Sequence, residues 1–207
     1  MARLTSMDDL RRIIPEPRPA SRSKILDALD EQSIDFLKRC PFALVGTVSA
    51  DGTLEVSPKG DEPGFIRMED PRTLLMPERV GNNLAFGLTN MIANSKIGMI
   101  CLVPATGETL RISGTAEIYD DADLLASLSS LGKPALLATR VRIQHCYFHC
   151  ARSIVRAKLW DPKGWPAPGR ISFGKIIAPK IGAGDDVAAQ IDASVEGAYT
   201  TRLWQNS

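Results

Sequence analysis

The densest run of side chains able to hold a ligand lies between residues 57 and 83. Ser57-Pro58-Lys59-Gly60-Asp61 follows one apolar run, and Pro77-Glu78-Arg79-Val80-Gly81-Asn82-Asn83 precedes another. An arginine and two carboxamides beside the start of a helix have the chemistry of a phosphate seat. The guanidinium fork matches phosphate oxygens, and a helix start offers free N–H groups at the positive end of its dipole. The same pattern also fits a capped helix with an exposed arginine.

Two other clusters compete for attention. His145-Cys146-Tyr147-Phe148-His149-Cys150 contains both histidines of the chain. On a strand, His145 and His149 face one side and Cys146 and Cys150 the other, so the four cannot converge on one ion. The spacing also lacks the paired short loops of a structural zinc site. Strand packing is the expectation, with no metal. Arg152 and Arg156 lie four apart on an expected helix and share a face beside Trp160; on pattern alone this is a small basic patch or a solvated surface. Neither a nucleophile elbow nor a P-loop is present, and Gly182-Ala183-Gly184-Asp185 reads as a turn into a helix.

The elements that position these residues follow from periodicity and punctuation. Residues 4–14 and 33–39 carry helical spacing, the second opened by Asp30 or Ser33 and closed by Cys40-Pro41. Residues 42–49 and 53–57 are strands about an Ala50-Asp51-Gly52 turn, and 58–64 is a loop. Short strands are expected at 65–68 and 73–76, then a helix over 82–94 capped by Gly81-Asn82. Strands at 96–103 and 109–119, a helix over 120–131, a long strand at 141–150 and a helix over 151–159 follow. The Pro- and Gly-rich tail ends in a short helix near 185–198. Closely spaced strands joined by short turns predict an antiparallel sheet, a small barrel with helices outside. Residues 1–41 read as a helical extension, 42–160 as the core and 161–207 as a tail of the same domain.

The totals agree with one globular domain of 207 residues, 44% hydrophobic and 24% charged. A net charge of +1 gives no broad field for nucleic acid or an anionic membrane. No apolar run reaches the roughly 18 residues needed to span a bilayer, and the polar N-terminus lacks a secretory apolar core. A cytoplasmic protein with reduced cysteines is the expectation.

The stretches FALVGTVSADGTLEVSPKGDEPGF and LLMPERVGNNLAFGLTNMIANSKIGMICLVPATGETLRISGTAEI, with the later HCARSIVRAKLWDP, closely resemble the FMN-binding pyridoxamine 5'-phosphate oxidase-like proteins. The resemblance spans about residues 30–165. It implies a mainly β, antiparallel split barrel that forms a homodimer with FMN at the subunit interface. It implies that Ser57 and Lys59 flank the flavin ring and that Pro77, Arg79, Asn82 and Asn83 approach the ribityl chain and phosphate. Arg111, in the Leu-Arg-Ile-Ser-Gly motif, would reach the phosphate, and Arg156 would serve the partner's flavin. Relatives often carry an arginine after the paired asparagines, where this chain has Leu84. The arginine and histidine pattern that binds pyridoxal phosphate in true pyridoxamine phosphate oxidases has no counterpart in residues 160–207.

The function implied is that of an FMN-dependent oxidoreductase of unnamed substrate. A lysine beside the ring would favour the negative charge that accompanies reduction. No side chain stands out as a general acid or base, which suits hydride transfer from a nicotinamide or a reduced substrate. The alternatives are a flavin carrier or sensor without turnover, and a haem- or deazaflavin-binding split barrel. Haem would call on His145 or His149 as axial ligand; deazaflavin would call on a long basic groove, against which the near-neutral charge argues.

Overall fold

The computed structural model describes residues 3–204. Its elements are α1 (Met7–Ile13), α2 (Pro19–Arg22), α3 (Glu31–Arg39), β1 (Phe42–Val48), β2 (Leu54–Gly60), β3 (Arg67–Asp70), β4 (Thr73–Glu78), α4 (Phe86–Ala93), β5 (Lys96–Leu102), β6 (Thr109–Tyr119), α5 (Ala122–Ser127), β7 (Leu137–His149), α6 (Arg152–Arg156), α7 (Phe173–Ile177) and α8 (Asp185–Thr200), with short 3-10 turns at Pro162–Gly164 and Ala178–Ile181. The strands form one seven-stranded sheet in the order β2-β1-β5-β6-β7-β4-β3. Every neighbouring pair is antiparallel. The sheet is not closed by backbone pairing: β2 and β3 are its edges, which makes the barrel a split one.

Alternation along the strands separates two faces. Ala43, Val45 and Thr47 of β1, Ile97, Met99 and Cys101 of β5, and Leu110 and Ile112 of β6 are buried on the inner one. The helices cover this core. Asp30 caps α3 by accepting from the Ser33 N–H at 2.8 Å, and Phe36 meets Phe148 edge-to-face at 5.3 Å. Asn90 of α4 donates to Thr47 Oγ1 at 3.2 Å, satisfying a buried carboxamide.

Several boundaries move from their expected places. β2 continues through Pro58 to Gly60, because an edge strand has no second neighbour to miss the proline N–H. The third strand is Arg67–Asp70 rather than 65–68, turning at Pro71. Pro77 lies in β4 opposite Ala138, beyond the stretch that β3 pairs, where its missing donor again costs no ladder bond. β6 and β7 shift register between Ser113 and Gly114. A Cβ on Gly114 would come within 1.9 Å of the Arg142 carbonyl, so only glycine fits this bulge.

The tail is more ordered than its composition suggests. α7 and α8 pack together at Gly174, where a Cβ would lie 1.9 Å from the Ala188 carbonyl oxygen. Asp192 of α8 accepts from the Gly174 N–H at 2.8 Å and from the Ser172 hydroxyl. These bonds, the Gly174 N–H foremost, hold the Asp192 carboxyl below its ordinary range. A depressed carboxylate contributes its share of docking above the unfolded value and loses it as pH falls through the folded one. Amide exchange across residues 172–192 should therefore accelerate selectively below about pH 4, before the sheet amides respond; uniform acceleration would show that Asp192 does not hold the hairpin.

Candidate functional site

The gap between the sheet's open edges is bridged by charge. Lys59 near the end of β2 donates to Glu78 at the end of β4. Just beyond, Arg79 Nε donates to Asp61 at 2.6 Å. Both acids are shielded, with side-chain exposure of 5% for Glu78 and 0% for Asp61. Each has further donors: Thr139 Oγ1 to Glu78 at 2.9 Å and Ser130 Oγ to Asp61 at 2.8 Å. Sequence reasoning named the two cations and missed the two acids.

Behind these pairs lies a cleft of about 590 Å³, in the size range of small-molecule and cofactor sites. Ser57, Lys59, Pro77, Arg79, Asn82 and Asn83 all line it. Pairing Ser57 with Val45 and Lys59 with Ala43 turns both toward the sheet's inner face and the gap. The opposite wall is the loop from Arg79 to Ala85. Asn83 and Ala85 have φ of 59° and 52°, a left-handed backbone that Asn tolerates and Ala resists. Strain of this kind concentrates at ligand clamps.

This loop corrects the expected helix start. α4 begins at Phe86, not at Asn82, because the left-handed residues interrupt the helical backbone. The Asn82 side chain accepts from the Leu84 N–H at 3.1 Å and shapes the turn instead of capping the helix. Arg79 departs from the reading of a capped helix with an exposed arginine. It is neither exposed nor free: Nη2 donates to the Leu128 carbonyl at 2.8 Å, and the guanidinium lies 5.6 Å from the Trp204 ring centroid. Its Nη1, however, is buried without a partner.

Arg111 and Arg156 lie outside this cleft. Cross-strand pairing sets Pro58, Leu44, Ile100, Arg111 and Tyr147 in one row on the outer sheet face. Arg111 donates to the Tyr147 hydroxyl at 3.1 Å. Tyr147 also stacks between His145 and His149, with centroids 6.4 and 5.1 Å away. Burial, then the charges of Arg111 and Lys24, push the His149 imidazole below its usual range. On the same outer face, at the far edge strand β2, Leu54 and Val56 are 63% and 57% exposed. Arg156 is exposed on α6 with Arg152. Cys150 is also exposed, while Cys40, Cys101 and Cys146 are buried free thiols.

An open antiparallel barrel with peripheral helices and a cleft at its split defines the split-barrel class. The sequence profile described as pyridoxamine 5'-phosphate oxidase matches residues 29–150, and the chain belongs to that family. No curated protein matches it. Among solved structures it is similar to HupZ of Group A Streptococcus, at 18% identity over 58% of this chain and 93% of that one, TM-score 0.48. A putative pyridoxamine 5'-phosphate oxidase from Lactobacillus delbrueckii gives 23% identity over 59% and 95%, TM-score 0.45. The FAD-binding protein from Mycobacterium smegmatis gives 16% over 60% and 97%, TM-score 0.42. The family assignment rests on the sequence profile alone. No described helix is long and apolar enough to cross a membrane.

Proposed function

We propose that this protein is an FMN-dependent oxidoreductase that works as a homodimer, with each FMN in the split-barrel cleft at the subunit interface. The observation that carries the reading is the cleft itself, whose walls gather Ser57, Lys59, Pro77, Arg79, Asn82 and Asn83. FMN would supply hydride and electron transfer. The chain's part is to hold the phosphate with the Arg79 side and the carboxamides, and to set the field at the ring through Ser57 and Lys59. Arg111, on the outer sheet face, would reach the partner's FMN, as would Arg156 from α6.

Absorbance and mass of the ligand released from purified protein test the cofactor. A flavin spectrum with the mass of FMN supports the reading, whereas a haem or deazaflavin spectrum overturns it. Reduction by NADH or NADPH, followed by reoxidation, tests turnover. FMN that stays oxidised with every donor would make the protein a carrier or sensor.

The Lys59–Glu78 pair gives this reading a signed consequence. A lysine at the ring stabilises charge that develops on reduction, and its paired glutamate offsets that field. Lys59→Ala should lower the two-electron potential of bound FMN, and Glu78→Gln should raise it. A change of ~1 kcal/mol corresponds to roughly 20 mV. Spectroelectrochemical titration reads both, and shifts of the same sign, or none, would remove Lys59 from the ring.

A further inference from the structure

A second cavity, also about 590 Å³, lies between the α7–α8 hairpin and the 80–84 loop. Leu84, Phe173, Ile177, Val195 and Tyr199 give it apolar walls. The only charged residue among those lining it is Arg202. Arg202 folds back on α8, where Nη2 donates to the Ser194 carbonyl at 2.7 Å and approaches Ser194 Oγ at 3.3 Å. Among the described residues it has no carboxylate partner, unlike Arg79 with Asp61 or Arg170 with Glu196. Asn82 contributes to this cavity and to the cofactor cleft, as do Val80, Gly81 and Leu84, so one loop is the shared wall.

We propose that the cavity under the α7–α8 hairpin binds a small organic carboxylate with an apolar, ring-sized body, its anionic end toward Arg202. Apolar walls favour a hydrophobic body, and a lining guanidinium without a carboxylate partner among the described residues makes an anion the complementary head group. Burial in such a pocket without a charged end would leave the guanidinium's preference unused. Because the 80–84 loop walls both cavities, an occupant here would act on the flavin cleft through that loop. That role rests on the flavin reading above; the binding of an apolar carboxylate does not.

Calorimetric titration of the full chain with 4-phenylbutyrate and with 4-phenylbutanol compares two probes that share one body and differ in the head group. The carboxylate should bind about tenfold tighter, as a partly exposed charge-assisted contact allows. Arg202→Gln should bring the two affinities together, and Val195→Trp, which fills the cavity, should abolish both. Should either variant fail to fold, wild-type protein still decides: NOEs are expected from the phenyl protons to the Tyr199 ring and the Leu84 methyls. Equal affinities for the two probes, no binding of either, or NOEs to other side chains would overturn the proposal. FMN titration in parallel separates the two readings, since carboxylate binding without FMN would refute only the flavin function, and FMN binding without carboxylate only this site.

Discussion

Asp61→Ala should lower the melting temperature by roughly 10 °C, the largest stability loss expected from any single change at the cleft. Removing one partner of a buried pair costs about 3–5 kcal/mol, because the other charge is left without compensation. In a chain of this size each kcal/mol corresponds to about 2–4 °C. The Arg79 side chain is only 15% exposed, and its Nη1 is already unpartnered. Without Asp61 it keeps one hydrogen bond, to the Leu128 carbonyl, and the face of Trp204. Ser130 loses one of its two carboxylate acceptors as well. Asp61→Leu with Arg79→Met removes both charges and should recover most of the loss, since replacing a buried pair by apolar groups is often close to neutral. Differential scanning calorimetry with each variant decides. An Asp61→Ala protein that melts with the wild type would show that the pair contributes nothing to holding the split together. Adding FMN separates structure from binding. If Arg79 meets the phosphate, FMN should raise the wild-type melting point more than riboflavin does, and that difference should shrink in Arg79→Lys, which retains a cation beside Asp61 but not the fork.

β1 and β6 were legible because they carry a period-two pattern bounded by turn residues, from Phe42 to Val48 and from Thr109 to Tyr119. The cleft's cations were legible because Ser-Pro-Lys-Gly and Pro-Glu-Arg lie in the stretches that resemble the family, just beyond expected strands. Their acids were not. Lys59 and Glu78 are 19 apart, and Arg79 and Asp61 are 18 apart; no local spacing rule pairs residues at that distance. Only the return of β4 beside the split brings them together. The start of α4 was misplaced for a different reason. Asn82 has the residue type of an N-cap, and its side chain does accept a local N–H, but the left-handed Asn83 and Ala85 postpone the helix by a turn. The α7–α8 hairpin was hidden by its own shortness: α7 is a five-residue helix fixed by Gly174 and Asp192, a tertiary contact that periodicity does not report.

Val56→Glu should convert a dimer into a monomer of 22.5 kDa and weaken FMN binding. Val56 is 57% exposed on the outer face of an edge strand, so a glutamate there costs the isolated protomer little. Its cross-strand neighbour is Gly46, and the next row along the same face runs from Pro58 through Leu44 and Ile100 to Arg111. A second copy seated on this face would bury the new carboxylate against apolar side chains without a partner, which is the costly case. Loss of the interface would also withdraw Arg111 and Arg156 from the partner's FMN. Each charge-assisted contact is worth about 1.5–3 kcal/mol, or roughly ten- to hundredfold in affinity. Light scattering at micromolar concentration reads the first effect and FMN titration the second; a Val56→Glu protein that remains dimeric would exclude this face as the interface. Subunit mixing then tests the assignment in trans. Arg156→Ala chains exchanged with Arg79→Lys chains should yield heterodimers with one site carrying both lesions and one intact, so half the sites of each heterodimer regain tight FMN binding. If Arg156 instead serves its own chain's cleft, every heterodimer site carries one lesion and no tight site returns. That outcome is the expected one only if the exposed α6 arginine folds back across its own protomer, where the row from Pro58 to Tyr147 places Arg111 on the face opposite Ser57 and Lys59.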